Sequence, residues 1–434
     1  MYIKKFLNLN IFKLTSKGEL FMINNEFLLE ESNKCLLCKN PKCKSHCPIS
    51  TDIPKIIELY KNKDLQKAGE ILFKNNPLSL ICSIVCYHKD QCFGNCVLNF
   101  KNNAVKFYEI ENHISSKYLY EKKFKKEKYL NKKVAIIGGG PSGISMAFML
   151  SNFGYDITIF EKNSNLGGVL RYGIPEFRLN KNILDEIEEC LLDLEVKIRY
   201  NVLIGPSITI DKLFSDGYDA IFIGTGVGEP KSLNIKGETL GHVHYAIDYL
   251  VSPNSYRLGE NVIVIGGGNV AMDAARTAKR NGSNVKIVYR KGFEDMPASK
   301  HEISETQIDG VDFEFFKSPI EINAKYISFC ETEKIQCENN QFKFISHHDK
   351  ISNMEANSII IAISQGPEKN IISTCNELKV DKNGLLVCDE FGKTTKKGVF
   401  TSGDVVTGPK TVVEAVNNCK IVSKYIHEYL SEME

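Results

Sequence analysis

Cysteines are spread unevenly along the 434-residue chain: eight of the 14 lie between Cys35 and Cys96. The first group ends in Cys-x3-Cys-Pro at Cys47, an ending typical of bacterial iron–sulfur runs whose last cysteine ligates the other of two clusters. We therefore expect two clusters with ligand exchange between two groups. The groups are Cys35, Cys38, Cys43 and Cys47, followed by Cys82, Cys86, Cys92 and Cys96.

Two other roles are open to these cysteines. Sets of four also suit tetrahedral zinc, but zinc has no redox function, and we favour iron–sulfur clusters. A secreted disulfide scaffold would be short and cross-linked along its whole length, whereas the remaining six cysteines here are scattered over a long chain. The pattern predicts metal binding in a reducing compartment, the cytoplasm.

A glycine-rich turn follows the apolar run at residues 134–137 and has the form G-x-G-x-x-G. Such turns let the backbone approach a pyrophosphate and let the next helix pack closely against the strand. Glu161 ends the next strand, where a carboxylate accepts hydrogen bonds from ribose hydroxyls and repels a 2′-phosphate. We expect FAD here. The turn comprises Gly138, Gly140, Pro141, Ser142 and Gly143.

The same pattern recurs about 130 residues later, after the strand at residues 262–265. Arg290 and Lys291 stand where the first copy has an acid, and cations there suit the 2′-phosphate of NADPH, although they could simply be exposed. Arg276 is a weaker candidate for the same role. The second turn comprises Gly266, Gly268, Asn269 and Val270.

Two strand–turn–helix–strand units predict an α/β fold with two Rossmann-like dinucleotide-binding domains. The net charge of +2 gives no argument for binding nucleic acid or a membrane surface, and no apolar run is long enough to cross a membrane. The first 17 residues carry four lysines and no acid, which we interpret as a tail, or as a sequence preceding a start at Met22, and not as a targeting segment.

Four further segments are more distinctive than the glycine turns, which occur in many dinucleotide-binding proteins. They are LGGVLRYGIPEFRL at 166–179, DMPA at 295–298, GDVV at 403–406 and TVVEAV at 411–416. With the cysteine groups and glycine turns, they make the chain resemble the small, NADPH-oxidising subunit of bacterial glutamate synthase over residues 35–430. The relatives of that subunit are the N-terminal region of dihydropyrimidine dehydrogenase and the large subunit of ferredoxin-linked transhydrogenases.

The resemblance implies an NADPH domain inserted in a split FAD domain, preceded by an α-helical iron–sulfur domain. It implies clusters at 29–116, an FAD domain at 133–237 and 356–434, and an NADPH domain at 238–355. From the residues themselves we expect a disordered tail at 1–28 and, because of its lysines, a solvated helix or linker at 117–132. Cofactor-binding residues implied in this way are Gly168, Arg171, Gly224, Thr225, Gly226, Gly403, Asp404, Thr411 and Val412.

The resemblance also implies an unusual set of cluster ligands. One 4Fe-4S cluster would be held by Cys35, Cys38, Cys43 and Cys96, and the second by Cys47, Cys86, Cys92 and Glu111. Cys82 would then be spare, although spacing alone makes it a ligand.

The function implied is transfer of electrons from NADPH through FAD and two 4Fe-4S clusters to a separate large catalytic subunit, as in glutamate synthase. The chain is too short to contain that large subunit as well. Two alternatives remain open: the electron-input subunit of a dihydropyrimidine dehydrogenase or transhydrogenase, and a non-catalytic iron–sulfur scaffold. No catalytic side chain is expected, because the chemistry belongs to the cofactors.

Overall fold

The computed structural model describes residues 12–14, 20–22, 25–337 and 341–433. By its internal contacts the chain divides into two units. The first unit comprises Met1–Leu170, Glu176–Val227 and Pro367–Glu434, and the second comprises Arg171–Pro175 and Gly228–Gly366.

The first unit begins with a short antiparallel pair of strands and a group of helices that carry both cysteine groups. Apolar side chains from these helices, such as Leu28, Ile56 and Ile110, form a core against which Cys35 and Cys92 pack. The elements are β1 (Phe12–Leu14), β2 (Leu20–Met22), α1 (Asn25–Lys34), α2 (Lys42–Ser45), α3 (Ile53–Lys61), α4 (Leu65–Asn75), α5 (Ser79–Val85) and α6 (Phe107–Glu121).

The rest of the first unit is built on a five-stranded parallel sheet in the order β17-β6-β3-β4-β5. All of its strands except the edge strand β5 are short, largely buried apolar runs, because both faces of a parallel sheet are covered. The elements are β3 (Lys133–Ile137), α7 (Pro141–Phe153), β4 (Asp156–Phe160), α8 (Val169–Tyr172), α9 (Asn182–Asp193), β5 (Lys197–Arg199), α10 (Ile210–Ser215), β6 (Ala220–Ile223), β17 (Val399–Thr401), α14 (Asp404–Thr407) and α15 (Val412–Ser431). The last two residues of α8 belong to the second unit.

The second unit repeats this plan with a parallel sheet in the order β11-β10-β9-β15-β8. Its helices and strands enclose a separate core that includes Tyr249, Met272 and Ile287. The elements are β7 (Glu229–Pro230), β8 (Val243–Tyr245), α11 (Ala246–Val251), β9 (Asn261–Ile265), α12 (Asn269–Arg280), β10 (Asn284–Tyr289), α13 (Lys300–Ile308), β11 (Asp312–Phe315), β15 (Ser358–Ile361) and β16 (Gln365–Gly366).

A three-stranded antiparallel sheet, absent from the sequence expectations, completes the second unit. It consists of β12 (Lys317–Ile322), β13 (Tyr326–Gln336) and β14 (Phe342–Glu355), in that order. The register shifts between Cys330 and Glu331. Phe329 is fully buried, so one face of this sheet joins the core formed by β9 and β15.

The structure corrects several of the expected domain boundaries. The insertion runs from Gly228 to Gly366 and not from 238 to 355, because β15 pairs with β8 and β9 and therefore lies in the second sheet. The tail predicted to be disordered to residue 28 contains β1, β2 and the start of α1 in its described part. The other tail residues lie outside the described ones. The predicted linker at 117–132 begins within α6, which continues to Glu121.

Within the part of the chain that the structure describes, none of the helices combines the length and apolar character that crossing a bilayer requires.

Candidate functional site

The first glycine turn joins β3 to α7 as predicted, and its third glycine has the expected packing role. A side chain at Gly143 would place its Cβ 1.8 Å from the carbonyl oxygen of Gly138, so only glycine lets α7 approach β3 this closely. Gly140 is the N-cap of α7, and Pro141 occupies the first helical position. The turn thus presents the start of a thirteen-residue helix.

Other predicted residues of the first unit surround this turn. The amide of Gly167 donates to the carbonyl of Gly139 over 2.8 Å, which brings Gly168 against Gly140. Gly224, after β6, packs against Gly138. Thr225 is exposed, and no atom lies within 4 Å of the position a Cβ would take at Gly226, which leaves open space for a ligand.

Gly403 follows β17 and also reaches the turn. Its φ is +81°, and a Cβ there would lie 2.2 Å from the hydroxyl of Ser142, so the approach requires glycine. The next residue, Asp404, accepts a hydrogen bond from the amide of Lys410 over 3.2 Å. Burial, with the Glu414 carboxylate nearby, raises the pKa of Asp404 to about 6.

Glu161 lies beside the same turn, and its side chain is almost fully buried. One carboxylate oxygen accepts from the amide of Gly139 over 2.7 Å and the other from the amide of Asn163 over 2.8 Å. Each oxygen keeps a second lone pair, so the carboxylate can also accept from hydroxyl groups of a ligand. The structure therefore fits the expected ribose contact.

The C-terminal helix α15 starts next to these residues. Thr411 is its N-cap and forms a capping box with Glu414: the Glu414 amide donates to the Thr411 hydroxyl over 3.4 Å, and the Thr411 amide donates to the Glu414 carboxylate over 3.0 Å. Val412 is the first helical residue. Arg171 is the exception among the residues expected here, because it belongs to the second unit.

The second glycine turn joins β9 to α12 within the second unit. The amide of Gly266 donates to the Val288 carbonyl over 3.1 Å, and Ala298 of the DMPA segment donates to the carbonyl of Gly267 over 3.1 Å. The side chain of Asn269 accepts from the amide of Ser299 over 3.0 Å. Around Gly268 the space is open to 4 Å, as a phosphate site needs, and Val270 is half-buried in the first turn of α12.

The predicted cations at the end of β10 have different environments. The side chain of Arg290 is exposed, while its carbonyl accepts from the Thr332 hydroxyl over 2.6 Å. The ammonium of Lys291 lies 5.1 Å from the ring centre of Phe344 on β14. The structure thus leaves Arg290 the more accessible of the two for a phosphate.

The suggestion that Arg276 contacts a phosphate is wrong. Its guanidinium is buried and bonds to three carboxylates on and after α13, with distances of 3.2, 3.2 and 2.9 Å. Those carboxylates belong to Glu302, Glu305 and Asp309, and Asp309 also binds Arg280. The sequence carried a signal of this network in the acids of α13, but their spacing alone does not show which cation they face.

The cysteines of the first expected cluster are brought together at one cavity. Cys35, Cys38, Cys43 and Cys96 line it with apolar side chains such as Ile57, and it has about 450 Å³ of empty space with its mouth included. Cys92, expected at the second cluster, lines the same cavity. Burial and the neighbouring thiols of Cys96 and Cys35 raise the pKa of Cys43 to about 11. A thiol-lined apolar cavity fits an iron–sulfur cluster.

The residues expected at the second cluster also lie near one another. Burial, then the Glu111 carboxylate and the thiol of Cys47, raise the pKa of Cys92. Glu111 on α6 is buried and acts electrostatically on Cys86 as well as Cys92. Cys82 is buried and hydrogen-bonds to Cys86, so both candidates for the fourth ligand face this group.

No three His, Cys, Asp or Glu side chains among the described residues are close enough together to hold a single metal ion. The cysteines of each set nevertheless lie close enough to act on one another electrostatically.

Two family models match most of the chain. Residues 132–418 match the pyridine nucleotide-disulphide oxidoreductase model. Residues 16–123 match the model described as dihydropyrimidine dehydrogenase domain II, 4Fe-4S cluster.

Curated relatives match along nearly their whole length. The glutamate synthase [NADPH] small chain of Halomonas elongata is 30% identical over 92% of this chain and 90% of its own. The NAD-dependent dihydropyrimidine dehydrogenase subunit PreT of Salmonella typhimurium is 30% identical over 93% of this chain and 94% of its own.

Solved structures show the same fold at lower identity. Mycobacterium tuberculosis FprA in complex with NADPH is 18% identical, with a TM-score of 0.60 over 70% of this chain and 85% of its own. Thioredoxin reductase of T. acidophilum is 19% identical, with a TM-score of 0.52 over 70% of this chain and 100% of its own.

Proposed function

The chain belongs to the pyridine nucleotide-disulphide oxidoreductase family and also carries a 4Fe-4S domain, and from this we propose that it is the electron-input subunit of a glutamate synthase. It is an NAD(P)H-dependent FAD and iron–sulfur oxidoreductase. The observation that carries the proposal is that one chain combines two dinucleotide turns with two neighbouring sets of cluster ligands. A separate large subunit would receive the electrons, in the reducing environment of the cytoplasm.

Bound FAD would supply a two-electron acceptor for hydride from the nicotinamide, and bound clusters would supply one-electron carriers. The chain's own residues supply binding and electrostatics. In the first unit, the turn at Gly138–Gly140 directs the amino end of α7 toward the pyrophosphate, and Glu161 accepts from the ribose hydroxyls. The open space beside Gly226 would receive the remainder of the flavin nucleotide.

In the second unit, α12 directs its amino end toward the NADPH pyrophosphate, and Arg290 binds the 2′-phosphate. The opposite charges of Glu161 and Arg290 favour FAD at the first turn and NADPH at the second. A carboxylate repels the 2′-phosphate and a guanidinium attracts it, so NADPH is held by the second unit.

For the second cluster we propose Glu111 as the fourth ligand in preference to Cys82. Glu111 acts on Cys82, Cys86 and Cys92, whereas Cys82 hydrogen-bonds to Cys86 and the side chain of Asn76. A carboxylate among three thiols is the more central group.

An anaerobic preparation tests the function directly. Iron, acid-labile sulfide and flavin should all be present, and NADPH should reduce an artificial electron acceptor. Zinc in place of iron and sulfide would contradict the proposal, and a colourless, inactive protein would instead support a scaffold.

Arg290→Ala tests the nucleotide assignment. Charge-assisted hydrogen bonds are worth about 1.5–3 kcal/mol, so kcat/KM for NADPH should fall by roughly 10- to 100-fold while that for NADH changes little. Lys325→Ala, which removes an exposed cation of the same unit, is the matched control. A preference for NADH that Arg290→Ala leaves unchanged would refute the assignment.

The same electron-input role in a dihydropyrimidine dehydrogenase is the second candidate, because PreT is as similar to this chain as the glutamate synthase small chain. The two are separated by copurification of the large subunit and by the product formed. Glutamate from glutamine and 2-oxoglutarate supports the first, and pyrimidine reduction supports the second.

A further inference from the structure

A row of hydrogen bonds connects Cys47 to a lysine on the C-terminal helix of the first unit. Lys420 on α15 donates to the side-chain oxygen of Asn75 over 2.5 Å. The side-chain nitrogen of Asn75 donates to the hydroxyl of Thr51 over 3.3 Å. That hydroxyl lies 3.4 Å from the sulfur of Cys47.

The direction of these bonds follows from the groups themselves. The Lys420 ammonium can only donate, so the oxygen of the Asn75 amide must face it. The amide nitrogen then faces Thr51 and also donates to the carbonyl of Ile49 over 3.3 Å, and a carbonyl can only accept. Both ends of the Asn75 side chain are therefore fixed by their partners.

The orientation of Asn75 in turn decides what Thr51 does. Its oxygen accepts from the amide, which leaves its own hydrogen to be directed at another acceptor. A cysteine that ligates iron is a thiolate and has no hydrogen to donate. With Cys47 bound to a cluster, the Thr51 hydroxyl therefore donates to the cysteine sulfur.

The surroundings strengthen this contact. Thr51 is only 4% exposed, so water does not compete for its hydroxyl, and hydrogen bonds act more strongly where the surroundings screen less. Lys420 is half-buried and interacts electrostatically with Cys47 in addition to its bond to Asn75. A donor and a positive charge thus face the same sulfur.

We propose that Lys420, Asn75 and Thr51 form a relay that raises the reduction potential of the cluster ligated by Cys47; this rests on the proposed function, which places a cluster there. Reduction adds one electron and so one negative charge. A hydrogen bond to a ligand sulfur and a nearby cation stabilise that charge, which are two of the means by which a protein tunes such a cluster.

The position of Lys420 on α15 connects the relay to the flavin end of the proposed electron-transfer route. This helix begins at the residues assigned to the flavin site, and Lys420 follows Val412 by eight residues. At 1.5 Å per residue, the two positions are about 12 Å apart along the helix axis. One rigid element therefore carries both the flavin-site turn and the residue that tunes the cluster.

The test is a redox titration of the whole protein in which the electron paramagnetic resonance signal of each reduced cluster is the readout. Thr51→Val keeps the shape but removes the donor, and the potential of one cluster should become more negative by about 59 mV, equivalent to a tenfold change in a one-electron equilibrium. Thr51→Ser retains the hydroxyl and should restore the wild-type potential.

Lys420→Met should shift the same cluster in the same direction, because it removes both the charge and the group that orients Asn75. Lys424→Met is the matched control: it removes an exposed lysine one turn further along α15 that acts electrostatically on Lys420 but has no place in the relay, so it should shift the potential less than Lys420→Met. Intact clusters with unchanged potentials in Thr51→Val and Lys420→Met would overturn the relay. So would equal shifts in Lys420→Met and Lys424→Met. Wild-type protein without iron and sulfide would instead remove the proposed function, and the relay with it.

Discussion

At the scale of single residues, equivalent positions in the two units carry opposite charges with different degrees of burial. Glu161 is buried and held by two backbone amides, so its carboxylate is fixed before any ligand arrives. Arg290 is exposed, as the proposed contact with a phosphate requires. Arg276 shows why a positive charge alone does not identify a phosphate-binding residue, because its guanidinium is paired with three carboxylates in the interior of the second unit.

Asp404 gives a prediction about pH. Its folded pKa of about 6 lies above the ordinary value, mainly because of burial, so the folded state binds the proton more tightly than the unfolded state. The contribution of protonated Asp404 to the free energy of unfolding is therefore present at low pH and is lost as the pH rises through about 6. Between pH 5 and pH 8, flavin-depleted protein should lose about 1.4 kcal/mol of unfolding free energy from this group.

Denaturant unfolding at several pH values measures the loss. Asp404→Asn cannot ionise, so its unfolding free energy should vary less than that of the wild type over the same range. Equal pH dependence in the two proteins would show that Asp404 does not titrate in this window.

At the scale of elements, α15 organises the first unit. In its first half, the Cys419 thiol donates to the carbonyl of Ser142 over 3.3 Å, which ties the helix to α7. Near its end, His427 stacks on Phe153 with ring centres 4.3 Å apart and hydrogen-bonds to Tyr155 over 2.6 Å. The helix is therefore held at two places, near its middle and near its end, against α7 and the residues that follow it.

The capping box of α15 should matter for stability. Thr411→Val removes the side-chain acceptor for the Glu414 amide, and loss of such a cap costs about 1 kcal/mol of unfolding free energy. Thr411→Ser keeps an acceptor at the same place and is the matched control. Chemical denaturation of both variants measures the difference, and equal stabilities would mean that the cap contributes nothing here.

At the scale of the whole molecule, the chain contains two units with separate cores and separate nucleotide turns. A ligand that binds only the native state stabilises the unit that holds it, by about 2.7 kcal/mol at a hundred times its dissociation constant. Scanning calorimetry should thus show a transition, assigned to residues 228–366, that rises with NADP⁺.

Arg290→Ala should weaken that rise, whereas Lys325→Ala should retain it. A protein in which NADP⁺ raises the transition equally with and without Arg290 would contradict the assignment of the 2′-phosphate to this residue.

Most of the fold and of the candidate site could be predicted from local sequence patterns. Strand–turn–helix units, the glycines and the acid or base at the strand end lie within about thirty residues of one another, and their spacing is set by short-range geometry. The sequence alone therefore determined the two dinucleotide domains, the cysteine domain and the glycine turns that precede α7 and α12.

Only the tertiary structure decided what depends on distant residues meeting. β15 joins the second sheet by pairing with β9 almost a hundred residues earlier, which moved the boundary of the insertion. The acids of α13 meet Arg276, and Lys420 reaches Asn75 from 345 residues away. Such contacts arise when packed elements bring side chains together, and no spacing in the sequence specifies them.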